Sequence, residues 1–67
     1  PEGSARNTWP LTVETVHRID ERVRVALKGA VDLVAEVTHA SADALALEPG
    51  TPVWASVKAT ELLVRPR

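Results

Sequence analysis

Residues 22–28, RVRVALK, alternate without a break: Val23, Val25 and Leu27 fall on one side, Arg22, Arg24 and Lys28 on the other. A period of two marks a strand with one buried and one solvated face. The same period recurs along the chain. Thr8–Val16 sets Leu11, Val13 and Thr15 against Thr12, Glu14 and Val16. Val31, Leu33, Ala35 and Val37 line one face of a third strand. Val53–Val57 sets Val53, Ala55 and Val57 against Trp54 and Ser56, and Glu61–Val64 follows as a fifth strand. Pro10 lacks an N–H and belongs at a strand start or an edge. Asp20-Glu21 reads as a turn, and Gly29 as the permissive residue of a tight hairpin. The stretch HASADALALEPG, residues 39–50, departs from this period. Its alanines and leucines favour a helix of about two turns. Ala44, Leu45 and Leu47 would cover one end of the sheet, and Pro49-Gly50 would end the helix.

Five short strands with one short helix between the third and fourth predict an all-β fold, a small five-stranded barrel of OB type. Residues 1–67 form one domain, with residues 1–7 as an extended lead-in. A chain this short buries only about 60% of its unfolded surface. It contains no Cys, so neither a disulfide nor a thiolate metal site can staple it. His17 and His39 stand apart and read as surface or strand-end residues. Association between chains is the remaining route to stability.

The net charge of −1 offers no basic excess for nucleic acid or an anionic membrane. Single-strand binding by OB barrels needs aromatic platforms in a basic groove. Trp9 and Trp54 are the only aromatic residues and read as packing or interface positions. Trp54 shares a face with Ser56 and Lys58, which directs it to an interface. No apolar run approaches the ~18 residues of a membrane span, and no signal peptide is visible. Beginning at Pro1 without Met, the chain reads as a trimmed small protein or a piece of a longer one.

The residues give little support to an enzyme. Glu14, Asp32 and Glu36 occupy the solvated sides of strands, and no Ser/His/Asp set is placed by a motif. Gly3, Gly29 and Gly50 are too scattered for a phosphate loop. The polar groups between strands are more informative. Ser4, Arg6 and Asn7 sit together in the lead-in, and Thr38 and Ser41 stand where the third strand meets the helix. Lys58, Ala59 and Thr60 interrupt the last strands. A cation, a hydroxyl and free amides at a strand break can bind a small anion. Two plainer readings stand beside this one: a solvated Lys58 on an edge strand, and a helix N-cap at Thr38 or Ser41.

SARN at 4–7, LVAEVTHAS at 33–41, LALEPG at 45–50 and VWASVKATELLV at 53–64 together resemble the molybdate-binding Mop/TOBE domain. The resemblance spans essentially the whole chain. That family includes stand-alone molbindins and regulatory domains of molybdate-transporter ATPases and of a molybdate-sensing repressor. The lead-in and the ending VKATELLVRPR are most similar to the tail of a transporter ATPase. The resemblance implies an OB-type barrel with a tetrahedral oxyanion, molybdate or tungstate, bound at a subunit interface. Its implied contacts are Ser4, the Ala5 amide and Arg6, with Thr38, Ser41 and Lys58. Asn7, Ala59 and Thr60 are implied less directly; Asn7 could fix the turn and Thr60 could be structural. No cofactor and no metal ligated directly by side chains is implied. The implied assembly is a homo-oligomer, a dimer at least, with the hexamer of stand-alone members as the larger form. The implied setting is cytoplasmic, with transporter membrane subunits as partners through a longer chain, at the inner face of the membrane. The charged strand Arg22–Lys28 has no counterpart role in this scheme.

Molybdate is a dianion whose four oxygens have no hydrogen to donate, so its site calls for donors alone. Arg6 and Lys58 match its two charges, and hydroxyls and amides complete the shell. The competing expectation is an OB-type dimerisation module of a larger ATPase that binds no anion.

Overall fold

The computed structural model describes residues 7–67; Ser4, Ala5 and Arg6 lie outside the described residues. Five strands and one helix follow in order: β1 (Thr8–Ile19), β2 (Arg22–Gly29), β3 (Leu33–Thr38), α1 (His39–Ala44), β4 (Pro52–Lys58) and β5 (Glu61–Pro66). The strands form one antiparallel sheet in the order β3-β2-β1-β4-β5. The mostly β fold with one short helix is as the alternation predicts. The barrel is not closed: β3 and β5, the two edges, come into contact, but no ladder joins them among the described residues.

One face of the sheet carries the core. Leu11 and Val13 of β1, Val23, Val25 and Leu27 of β2, Ala35 of β3, and Val53 and Ala55 of β4 are buried, and Ala42 and Leu47 close over them. Full burial of each Val or Leu contributes about 1.5–3 kcal/mol. Trp9 is in phase with Leu11 and packs against this cluster, whereas Trp54 faces outward. The two tryptophans thus part company: Trp9 is a packing residue, and Trp54 alone is left on the surface.

β1 departs from the simple alternation. Val13 pairs with Leu27, but Thr15 pairs with Ala26, so a bulge at Glu14 inserts one residue. A bulge reverses which side chains face inward. Thr15, expected beside Leu11 and Val13, is therefore exposed, and Val16 packs on the core opposite Val25. The turn before β4 is anchored at this point. Val13 N–H donates to the Thr51 carbonyl at 2.8 Å, and Gly50 N–H donates to the Val13 carbonyl at 2.8 Å.

Three further expectations change. Gly29 does not sit in a tight hairpin; it ends β2 opposite Leu11, and residues 28–32 connect Leu27 to its partner Leu33. A Cβ on Gly29 would lie 2.6 Å from Leu11 Cδ2 and 3.2 Å from the Pro10 carbonyl oxygen. The glycine is there for close approach rather than for a turn. The helix spans six residues, short of two turns, and Ala42 rather than Ala44 is its buried residue. Its end is not made by Pro49-Gly50. Leu47 N–H donates to the Ala42 carbonyl and Ala46 N–H to that of Asp43, each at 3.0 Å, with Ala46 at φ 52°. This is a Schellman ending with alanine where glycine is usual.

Candidate functional site

Thr38 closes β3 opposite Arg22 and begins α1 as its N-cap. Its Oγ1 accepts the Ser41 N–H at 3.0 Å. The N-cap reading of Thr38 therefore holds, and it does not compete with ligand binding. An oxygen that accepts from a backbone amide still has its own hydrogen to donate. The Ser41 hydroxyl is on an exposed residue and has no hydrogen-bond partner among the described residues.

Lys58 ends β4, and Ala59-Thr60 form a two-residue hairpin closed by the pair Lys58 and Glu61. Ala59 takes φ 57°, the positive value such short loops favour at a cost for any residue but glycine. The break in the alternation at 58–60 is thus a turn. Glu61 stands directly across the ladder from Lys58, yet no ion pair within 4.0 Å joins them. The Lys58 ammonium has no side-chain partner among the described residues. Asn7 lies beside it in the sheet: its carbonyl accepts the Val57 N–H at 2.9 Å, and Thr8 pairs with Ser56. Asn7, the first described residue, is therefore anchored next to the Lys58 hairpin.

The expected ligands form two groups, Thr38 with Ser41 and Asn7 with Lys58, Ala59 and Thr60. Through the ladders the first is tied to the Ile19 end of β1 and the second to the Thr8 end. No hydrogen bond or ion pair joins the two groups among the described residues. An open hollow beside the Thr38 group is lined by Ile19, Asp20, Glu21, Arg22, Arg24 and Glu36. None of these is an expected ligand, and three carboxylates among the six make it a poor anion site. Its Arg24 is already held by Glu36 at 3.0 Å.

A second cluster, unannounced by the sequence, adjoins Thr38. Arg18 NH1 lies 2.7 Å from His39 Nδ1, His39 Nε2 lies 2.8 Å from the Asp20 carbonyl oxygen, and Arg18 NH2 pairs with Asp43 Oδ1 at 2.9 Å. His39 is therefore not an isolated strand-end residue. The bulge at Glu14 is the missing signal: without it Arg18 would face away from Val23 and the helix. Among the described residues, no three His, Cys, Asp or Glu side chains gather to hold a metal ion. No helix among them is long and apolar enough to cross a membrane.

Comparison with curated proteins and with solved structures returned no match. A family model, the TOBE domain, matches residues 3–64 of the 67. TOBE domains are non-catalytic modules with oxyanion-related regulatory or dimerising roles. The match runs from the lead-in into β5 and takes in every expected ligand, and on that span the chain belongs to the TOBE domain family.

Proposed function

We propose that this domain binds molybdate or tungstate between two chains, for storage or for control of molybdate transport. The observation that carries the reading is Lys58: among the described residues its ammonium makes no ion pair, although a carboxylate stands across the ladder. Beside it run the amides of the Ala59-Thr60 hairpin. Ser41 and Thr38 supply two further hydrogens, and none of these groups is an acceptor only. Charge-assisted hydrogen bonds contribute roughly 1.5–3 kcal/mol each. Several together reach micromolar affinity, about −8 kcal/mol, after ordering costs.

Ser4-Ala5-Arg6 of one chain and Thr38 with Ser41 of its partner complete the shell, so the site needs a dimer at least. If the domain belongs to a longer transporter ATPase, it acts in the cytoplasm at the inner face of the membrane and the nucleotide site lies elsewhere. Titration calorimetry with molybdate, tungstate and sulfate tests the reading. The first two should bind and sulfate should bind more weakly, since equal charge leaves pocket size to discriminate. Heat from none of the three would overturn it and favour pure dimerisation, a role that the outward Trp54 and Leu63 also suit.

A further inference from the structure

We infer that His39, gripped by Arg18 and the Asp20 carbonyl, is the positioning residue for the Thr38–Ser41 half of the oxyanion site. The inference rests on the function proposed for that site. α1 has six residues, too few to be stable by itself in water. Thr38 and Ser41 hold each other through the N-cap, but that bond is local and does not fix α1 on the sheet. The His39 ring does so at the first residue of the helix, immediately after Thr38.

Its two contacts determine its protonation. Arginine can only donate, so Nδ1, 2.7 Å from Arg18, must accept. A carbonyl can only accept, so Nε2, 2.8 Å from the Asp20 oxygen, must carry the hydrogen. The ring is therefore the neutral Nε2–H tautomer. Asp43 holds Arg18 from the far turn of the same helix, so one guanidinium spans both ends of α1. The pair Arg18–Asp43 is exposed and contributes little stability by itself. Its effect is on position.

Removing the ring leaves the Arg18 guanidinium and the Asp20 carbonyl without their contacts to the start of the helix. That loss frees α1 and weakens the oxyanion site from a distance.

The test compares the wild-type protein with His39→Ala and His39→Asn. Asn retains an acceptor oxygen near the Nδ1 position, so it can still meet Arg18. Molybdate affinity is measured by calorimetry. His39→Ala should bind about tenfold more weakly than the wild type, and His39→Asn should stay within about threefold of it.

Amide exchange at Ser41, measured without ligand and relative to the Val25 amide, reads the same grip. It should speed up about tenfold in His39→Ala and be restored in His39→Asn. Equal Ser41 exchange in wild type and His39→Ala overturns the positioning role, whatever binds. Normal exchange behaviour with no molybdate bound by any of the three proteins overturns the inference as stated, through the oxyanion reading, while the grip itself stands. Molybdate bound equally well by wild type and His39→Ala overturns the coupling of the ring to the site.

Discussion

At the scale of single residues, ligand binding depends on which donors are already engaged. Ser41 is the cleanest probe, because its hydroxyl has no described partner while its N–H makes the cap. Ser41→Ala should weaken molybdate binding severalfold and leave stability within about 0.5 kcal/mol. Thr38→Val removes the cap acceptor as well as a ligand, so it should also cost about 1 kcal/mol in denaturant unfolding. Unchanged affinity in Ser41→Ala, with Thr38→Val losing stability alone, would reduce this segment to a helix cap. Lys58→Ala and Arg6→Ala should each lower affinity tenfold or more, because a dianion is left short of one charge. Lys58 is exposed at the end of β4, so the fold should survive its loss. Wild-type affinity in both variants would remove the assigned site.

At the scale of elements, two backbone positions carry opposite predictions. Gly29→Ala forces a Cβ against Leu11 and the Pro10 backbone and should destabilise by about 1–3 kcal/mol. Ala46→Gly relieves a positive φ at the end of α1 and should stabilise by about 1 kcal/mol. Urea unfolding measures both, and a stabilising Gly29→Ala or a destabilising Ala46→Gly would contradict the geometry. These positions also mark where sequence reading stops. The strands were legible because alternation needs only apolar residues at every second position, and Val23, Val25 and Leu27 supply them. The bulge at Glu14 was not, because an inserted residue requires no special type and only shifts the phase of the rest of the strand. The helix end was not, because Ala46 stands where glycine would have announced it, while Pro49-Gly50 serve the turn into β4. The expected ligand residues came from the family resemblance alone; their separation into two groups needed the ladders, and the Arg18–His39 grip needed the bulge.

At the scale of the whole molecule, the outer face of the sheet carries exposed apolar residues towards its β5 edge. Trp54 is 38% and Leu63 42% exposed, with Pro10 paired to Trp54 and Ser56 paired to Leu63. Trp54 and Leu63 lie diagonally across neighbouring strands, within reach of each other. Trp54→Glu should shift sedimentation towards the monomer without loss of the core, which Trp54 does not enter; an unchanged assembly would move the interface elsewhere. Two groups of expected ligands, tied to different ends of β1, make the shared site the central claim. Ligand should then favour the assembled state, since only that state holds a complete shell. The most direct measurement is light scattering during size exclusion with and without molybdate, with bound molybdenum counted per chain across the peak. A dimer or larger assembly carrying molybdenum is the predicted result, and a monomer that carries tightly bound molybdate would contradict it.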